Sequence, residues 1–348
     1  MNPYVLAILL SSLGLGTTLT FASSHWLLAW MGLEINTLAI TPLMAQHHHP
    51  RAVEATTKYF LTQATAAAMI LFASTTNAWI TGEWDINNMS SPVASTMIII
   101  ALALKIGLAP MHFWMPEVLQ GLDLLTGLIL STWQKLAPLA LIIQVSQAID
   151  PLLLTSLGLM STLIGGWGGL NQTQLRKILA YSSIAHMGWM IIILQYAPQL
   201  TLIALGTYIF MTSAAFLTMK TTSTTKISTL AMTWSKNPTL TATTALILLS
   251  LGGLPPLTGF MPKWLILQEL TKQNLPITAT IMALAALLSL YFYLRLCYAM
   301  TLTISPNTTN STTPWRIQTT QTSLPLTLST TIALGLLPIT PAILMLTT

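Results

Sequence analysis

The stretch Pro3-Tyr-Val-Leu-Ala-Ile-Leu-Leu-Ser-Ser-Leu-Gly-Leu-Gly-Thr-Thr-Leu-Thr-Phe-Ala22 contains no charged side chain. A run of about 20 apolar residues is the length that an α-helix needs to cross the hydrocarbon core of a bilayer. A strand of a membrane barrel would instead alternate apolar and polar residues over about ten positions. The stretch therefore predicts a transmembrane α-helix.

Runs of this kind recur along the 348 residues, of which only 6% are Asp, Glu, Lys or Arg and 53% are hydrophobic. Soluble domains carry about 25% charged residues, so this chain has too little charge to cover a surface in water. We predict an all-α polytopic membrane protein with about eleven transmembrane helices. The predicted spans lie near residues 3–22, 25–45, 58–80, 93–116, 122–147, 151–170, 174–196, 198–219, 239–270, 276–300 and 323–346.

Basic residues are unevenly distributed between the two sides of this predicted topology. The side of the N-terminus receives Arg51, Lys58, Arg176, Lys177, Lys220, Lys226, Lys236, Arg295 and Arg316, and the opposite side receives Lys272. Lys and Arg concentrate on the side from which a membrane protein is inserted, so the N-terminus is expected on the inside. The pI near 9.4 is therefore a sign of topology, and no nucleic-acid partner is predicted.

Four charged residues fall well inside predicted spans, away from the span ends: Glu34, Lys105, Lys135 and Lys263. Each costs about 2.5–3.5 kcal/mol at the bilayer centre, where leucine would be favourable. They either pair to hold helices together, snorkel to the headgroups, or act in transport. Burial favours the neutral form of an ionisable group, and groups that gain and release protons along confined water form a proton relay. We predict such a relay, with the titration of Glu34 coupled to that of a neighbouring lysine.

Two stretches of the chain repeat one another at identical spacing: Gly107-Leu-Ala-Pro-Met-His-Phe-Trp-Met-Pro-Glu117 and Gly253-Leu-Pro-Pro-Leu-Thr-Gly-Phe-Met-Pro-Lys263. They lie in the fourth and ninth predicted spans, so they enter the membrane from opposite faces. Proline interrupts a helix, and discontinuous helices in inverted repeats surround polar cavities in transporters. We predict a single domain, 1–348, with inverted five-helix repeats near 3–147 and 151–300, two discontinuous helices and a final helix at 323–346. Simple proline kinks are the alternative.

The remaining candidate residues are weaker. His112, inside the first repeated stretch, and His186, in the middle of a span, could pass a proton along water or serve as hydrogen-bonded packing residues. The loop histidines 47–49 do not favour a metal site, and the lone Cys297 excludes an intrachain disulfide or a four-cysteine cluster. The run Gly165–Gly169 favours close helix packing or a turn over dinucleotide binding.

These residues resemble the subunit 2 family of the mitochondrial NADH:ubiquinone oxidoreductase, respiratory complex I, in its vertebrate form. The resemblance covers the whole chain and implies roles for four residues. Glu34 would be the gating carboxylate and Lys105 its partner, with Lys135 the central and Lys263 the terminal relay. It is carried by Met1-Asn2-Pro3, Trp30-Met-Gly-Leu-Glu34-Ile-Asn36, Lys105-Ile-Gly-Leu-Ala-Pro110, Thr132-Trp-Gln-Lys135-Leu-Ala-Pro138, Arg176-Lys-Ile-Leu-Ala-Tyr-Ser-Ser183 and Gly252-Gly-Leu-Pro-Pro-Leu-Thr-Gly-Phe-Met-Pro-Lys263-Trp264.

The resemblance also implies the complex, the partners and the membrane in which the chain would act. The chain would be an antiporter-like subunit of an H⁺-translocating NADH:ubiquinone reductase, without a redox centre of its own. NADH, FMN, iron–sulfur clusters and ubiquinone would bind to partner subunits. Its partners would be the other membrane-arm subunits and the lipid of the mitochondrial inner membrane, with the N-terminus on the matrix side.

Three other function classes are compatible with some of these features. A self-standing cation/proton antiporter would share the broken helices and the lysines. A structural membrane subunit would use the buried charges to fasten helices together. A haem or quinone protein of the cytochrome b type would need facing histidine pairs, but only His186 lies deep in a predicted span.

Overall fold

The computed structural model describes residues 2–46, 48–89, 91–235, 237–302 and 323–347, and in this part of the chain the secondary structure is helical without strands. The predicted all-α class is confirmed. Of the basic and histidine residues considered above, His47, Lys236 and Arg316 lie outside the described residues. The helices are α1 (Pro3–Ala22), α2 (Trp26–Met44), α3 (Pro50–Thr81), α4 (Pro92–Ile106), α5 (Trp114–Gly121), α6 (Leu124–Thr132), α7 (Leu136–Val145), α8 (Pro151–Gly169), α9 (Leu175–Ile193), α10 (Pro198–Thr222), α11 (Ile227–Ala231), α12 (Pro238–Gly252), α13 (Phe260–Lys272), α14 (Pro276–Thr301), α15 (Leu324–Gly335) and α16 (Thr340–Thr347).

Proline opens many of these helices. It suits the first helical position because its ring fixes φ near the helical value and its missing N–H has no intrahelical acceptor there. Side chains complete some of these starts: the Asn2 side chain accepts from the Tyr4 amide before α1, and His49 accepts from the Arg51 amide before α3. The prolines concerned are Pro3, Pro50, Pro92, Pro151, Pro198, Pro238 and Pro276.

Helix length and composition identify six spans among the described residues, or seven if the bent pair α15–α16 is one span. Every predicted span has a helix or a helix pair at its place, while α4 and α12, with 15 residues each, are shorter than a full crossing. The predicted number of eleven spans stays a prediction. The six helices are Pro3–Ala22, Trp26–Met44, Leu124–Ala148, Pro151–Gly169, Pro198–Thr222 and Pro276–Thr301.

The helix predicted at 323–346 is bent in the structure. Its two parts, Leu324–Gly335 and Leu337–Met345, meet at 67°. Pro338 lies in the short 3₁₀ turn Leu337–Ile339 between them. Because proline cannot donate to the preceding turn and its ring clashes with that turn, a straight helix cannot continue through this position.

The chain divides into two compact units, Met1–Leu157 and Gly158–Thr348. In the first, α2 packs on α1 and α3, and α3 packs on α4 and α5; in the second, α10 packs on α9, α12, α13 and α15, and α14 packs on α12. The boundary falls inside α8, and the repeat bounds 3–147 and 151–300 remain a prediction.

The run Gly165–Gly169 lies on α8 at a close helix contact. A Cβ on Gly165 would stand 2.7 Å from the Ala185 amide nitrogen of α9, and one on Gly169 would stand 2.7 Å from the Phe292 ring of α14. Contacts this short leave no room for a side chain, so the predicted packing role of the run is confirmed.

Candidate functional site

Both repeated stretches interrupt a helix, as predicted. The first separates α4 from α5, and the second separates α12 from α13. Gly107 and Gly253 end the preceding helices with φ of 84° and 83°, a conformation that glycine adopts without a steric cost. The amides of Leu108 and Leu254 then donate back five residues to the carbonyls of Ala103 (2.9 Å) and Leu249 (3.4 Å). This is the Schellman motif, formed twice by the same Gly-Leu pair.

In the first unit, the break brings two of the predicted lysines to one place. Lys105 and Lys135 line the same cavity, whose volume is about 10 Å³. That volume is close to the smallest that admits a water molecule. Both lysines are buried, with exposed fractions of 5% and 2%. The cavity is therefore a small space, lined by polar and apolar residues, that two lysines share inside the first unit.

Lys135 reaches this cavity from an irregular turn within its span. Residues Trp133–Lys135 form a 3₁₀ turn between α6 and α7. Pro138 accounts for the turn because it cannot donate to the carbonyl of Gln134 and its ring crowds that carbonyl. Such 3₁₀ segments inside a helix often mark a functional position. Lys135 lies within its predicted span, but the turn itself was not predicted.

The electrostatic surroundings of Lys105 differ from those of a surface lysine. Among the described residues, its Nζ has no hydrogen-bond partner, and neither has the Glu34 Oε2 atom on α2. The Glu34 carboxyl group nevertheless interacts electrostatically with Lys105 and with the buried Tyr59. Glu34 and Lys105 therefore interact through their charges without a direct hydrogen bond, and their predicted pairing stays a prediction.

Neutral polar side chains line part of the cavity, beside apolar ones, and were not among the predicted site residues. Tyr59 and Gln63 of α3, Asn36 of α2 and Gln134 lie on its wall. The Gln63 amide donates to the Lys105 carbonyl (3.4 Å), and the Gln134 amide donates to the Asn36 carbonyl (3.4 Å). Uncharged amides within the spans, beside the charged residues, are the sequence signal that marks Asn36, Gln63 and Gln134.

Lys263 belongs to the second unit and is hydrogen bonded. Its ammonium donates to the carbonyl of Gly252, the last residue of α12, at 2.8 Å. A cation at the C-terminal end of a helix is favourable because the unpaired carbonyl groups there carry partial negative charge. This lysine therefore joins the two half-helices of the second break.

Buried hydroxyl groups also fasten the second break. Ser250 and Thr258 stand on either side of it, 3.2 Å apart, and both donate to the carbonyl of Ala333 in α15. The Gly259 amide donates to the Ser250 hydroxyl at 3.4 Å. The bent C-terminal helix pair is thus anchored to the break by side chains distant in sequence, which the sequence analysis did not foresee.

The two histidines occupy different surroundings. His112 is buried inside the first break, after the cis Ala109–Pro110 peptide, with its Nδ1 atom 3.2 Å from the Pro110 carbonyl oxygen. His186 lies half-buried on α9 in the second unit, with its ring centre 5.6 Å from that of Tyr208. The roles of both in proton transfer stay predictions.

Among the residues that the structure describes, no three His, Cys, Asp or Glu side chains are grouped to hold a metal.

An exposed ion-pair cluster lies at the end of the first break. Lys58 of α3 is 2.8 Å from Glu54 and 2.7 Å from Glu117 of α5. All three side chains are exposed in this chain. Glu117 ends the first repeated stretch at the position that Lys263 occupies in the second, so the same place in the repeat carries opposite charges in different surroundings.

Comparison with known proteins places this arrangement in a family. A family model described as "NADH:quinone oxidoreductase/Mrp antiporter, TM" matches residues 23–289, and one described as "NADH dehydrogenase subunit 2 C-terminus" matches residues 290–344. NADH-ubiquinone oxidoreductase chain 2 of Carassius auratus is 86% identical over 348 residues, covering 100% of both chains. The chain belongs to the NADH-ubiquinone oxidoreductase chain 2 family. The Danio rerio member is 80% identical, again over 100% of both chains.

Solved structures share this fold of the chain 2 family. A chain of respiratory complex I from Thermus thermophilus superposes with a TM-score of 0.84 at 28% identity, covering 96% of this chain and 78% of that chain. A chain of the Mrp complex from Dietzia sp. superposes with a TM-score of 0.83 at 15% identity, covering 96% and 75%. The second likeness concerns the fold alone.

Proposed function

We propose that this chain is a proton-translocating membrane-arm subunit of respiratory complex I in the mitochondrial inner membrane. It couples electron transfer from NADH to ubiquinone, carried out by other subunits, to proton movement through buried ionisable side chains. NADH, FMN, the iron–sulfur clusters and ubiquinone are bound by those partner subunits. The N-terminus faces the matrix, in agreement with the distribution of basic loops. The membership of the chain in the NADH-ubiquinone oxidoreductase chain 2 family supports its assignment to this complex.

One observation carries the relay part of this proposal. Lys105 and Lys135 are buried on one small cavity, and the ammonium of Lys105 has no hydrogen-bond partner among the described residues. A buried amine that served only to join helices would be bonded to the partner that it holds. An amine that has no such bond and belongs to a residue lining a cavity of water size is a candidate to exchange a proton with a water molecule there. Glu34 acts on Lys105 through its charge, which suits a carboxylate that controls the proton affinity of this amine.

Lys135, Lys263, His112 and His186 extend the relay in the proposal. Lys263 also has a structural function, since it bonds to the Gly252 carbonyl. The bond favours the helix-fastening alternative for this one lysine. Its part in proton transfer is therefore tested separately from that of Lys105.

The decisive experiment replaces Lys105 by Met in the assembled complex, reconstituted in vesicles. Methionine keeps the length of the side chain and removes the exchangeable proton. We expect normal assembly with fewer protons moved per electron, or slower electron transfer with the remaining turnover still coupled. Lys58→Met is the matched control, because it removes a lysine of the same unit whose ammonium pairs with exposed carboxylates. Normal coupled pumping in Lys105→Met would refute the relay.

Lys135→Arg tests the same proposal from the other side of the cavity. Arginine stays protonated at every accessible pH, so it keeps the positive charge and cannot release its proton. We expect proton translocation to fall. Full activity would mean that this position supplies charge alone. Recovery of an isolated, transport-competent chain, outside any flavin and iron–sulfur assembly, would favour the self-standing antiporter.

A further inference from the structure

The end of α4, which carries Lys105, receives hydrogen bonds from two neighbouring helices. The last carbonyl groups of a helix lack the amides of a following helical turn, and here the Leu104 carbonyl receives the Gly107 amide at 3.2 Å. The Trp114 indole N–H of α5 also donates to the Leu104 carbonyl, at 3.0 Å. The Gln63 amide of α3 donates to the Lys105 carbonyl at 3.4 Å. Neutral side chains therefore complete the bonding of the helix end from which Lys105 projects.

The Trp114 side chain joins the two half-helices of the first break. It is buried, with 8% of its surface exposed, and it lines the same cavity as Lys105. Its ring stands edge-on to that of Tyr59 in α3, with the ring centres 5.7 Å apart. A Cβ on Gly107 would stand 3.4 Å from the Trp114 Cζ2 atom, so the ring also rests against the turn itself. Packing thus holds the indole N–H at the end of α4.

The second repeat bonds its helix end differently. In the register of the repeat, Trp114 corresponds to Phe260, whose ring has no N–H to donate. The end of α12 is bonded instead by the ammonium of Lys263, which donates to the Gly252 carbonyl. In the first break an indole supplies such a bond, and the Lys105 ammonium has no hydrogen-bond partner among the described residues. A neutral donor at the end of α4 therefore completes the helix without engaging the lysine.

We propose that Trp114 is a positioning residue for Lys105. Its indole N–H holds the last turn of α4, so that the lysine enters the cavity from a fixed backbone with its ammonium free of protein hydrogen bonds. This inference rests on the proposed relay function and gives a task to a residue that neither gains nor loses a proton. A misplacement of about 1 Å can slow a reaction step by about 10²-fold. The loss of one bond at the base of Lys105 is therefore expected to lower transport more than assembly.

The test is Trp114→Phe in the assembled complex, reconstituted in vesicles. Phenylalanine, which the second repeat has at this place, keeps an aromatic ring beside Tyr59 and removes the donor. We expect normal assembly and hydrogen exchange of residues 103–108 that is faster by roughly two- to tenfold, the effect of one lost hydrogen bond. The rate of proton translocation should fall by about tenfold. Normal proton translocation in the assembled variant would overturn the proposal.

Trp234→Phe is the matched control. The Trp234 indole N–H donates to the carbonyl of Met300, the next-to-last residue of α14, at 2.6 Å, and Trp234 does not line the cavity. The same donor is thus removed from the end of another helix. We expect faster exchange of residues 300–302 and normal proton translocation. Equal losses of translocation in the two variants would assign the effect to loosened helix ends in general and overturn the role of Trp114.

The double variant Trp114→Phe/Lys105→Met separates positioning from stability. If Trp114 acts through Lys105, its substitution has no further effect on the residual proton translocation of Lys105→Met. The thermal stability of the complex should still fall as it does in Trp114→Phe alone, because the lost bond goes to the backbone. A further loss of translocation in the double variant would mean that Trp114 has a structural role only.

Gln63→Met decides the matter if Trp114→Phe fails to assemble. It removes the other donor at this helix end, so exchange of residues 103–108 should rise and translocation should fall; faster exchange with normal translocation would then overturn the proposal. Failure of this inference is distinguishable from failure of the relay. If Lys105→Met impairs pumping while Trp114→Phe does not, the relay stands and the role of Trp114 falls. If Lys105→Met pumps normally, the proposed function falls.

Discussion

The two breaks have the same backbone motif but hold their lysines differently. Each preceding helix ends in a left-handed glycine followed by a leucine whose amide bonds back into the helix. In the register of the repeat, however, Lys105 corresponds to Leu251, and Lys263 corresponds to Glu117. The repeat therefore supplies two similar interruptions, and single residues decide where charge is placed. Chemical equivalence of the two halves does not follow from their backbone similarity.

The difference extends to bonding. Lys105 lies in the last turn of α4 and its ammonium has no partner among the described residues, whereas Lys263 follows its break and bonds to the last carbonyl of α12. Lys263 stabilises a helix end, and Lys105 faces a cavity. Lys105 is thus the better placed of the two for proton exchange, whereas in the proposed relay Lys263 would combine proton exchange with a structural bond.

Among the substitutions that distinguish the two breaks, Lys263→Met is expected to have the largest effect. It leaves the buried Gly252 carbonyl without its partner, which costs about 1–3 kcal/mol, and it removes an exchangeable proton. We expect loss of proton translocation together with faster hydrogen exchange in residues 249–263 of the assembled complex. Lys105→Met should leave exchange at its own break unchanged, because no hydrogen bond is lost there. Equal protection of the second break in wild type and Lys263→Met would contradict the structural role of this lysine.

The paired substitutions Gly107→Ala and Gly253→Ala should have smaller effects. Alanine in the left-handed conformation costs about 1–2 kcal/mol at either position. At Gly253 the new Cβ would also stand 2.9 Å from the Lys263 Nζ atom, whereas at Gly107 the nearest atom is the Met115 sulfur at 3.2 Å. Methionine is flexible and can move aside.

We therefore expect similar losses of thermal stability in the two glycine variants, but a loss of proton translocation only in Gly253→Ala. Thermal denaturation of the purified complex and proton uptake by vesicles measure the two quantities. A larger transport defect in Gly107→Ala would show that the first break, rather than the position of Lys263, is the more sensitive of the two.

Local signals made the breaks predictable, and long-range packing made the cavity unpredictable. Proline and glycine act on their own turns, so the interruptions at Gly107 and Gly253 were read from sequence. Pro138 is the same kind of signal for the turn at Lys135, but a single proline within a long apolar span does not stand out. The convergence of Asn36 and Gln63 on Lys105 depends on how α2, α3 and α4 pack together, and neutral amides do not stand out against the apolar background.

The smallest effect is expected from Glu117→Gln, at the place in the repeat that Lys263 occupies. Glu117 has 54% of its side chain exposed, and Lys58 keeps Glu54 as a partner at 2.8 Å when Glu117 is neutralised. Exposed ion pairs contribute little to stability, so assembly, electron transfer and proton translocation should all stay close to wild type. Glu54→Gln is the matched control, since it removes the other carboxylate of the same lysine. A transport defect in Glu117→Gln that Glu54→Gln does not share would mean that Glu117 and Lys263, at the same place in the two repeats, both act in transport. The two breaks would then differ in the sign of the charge at this place and not in its role.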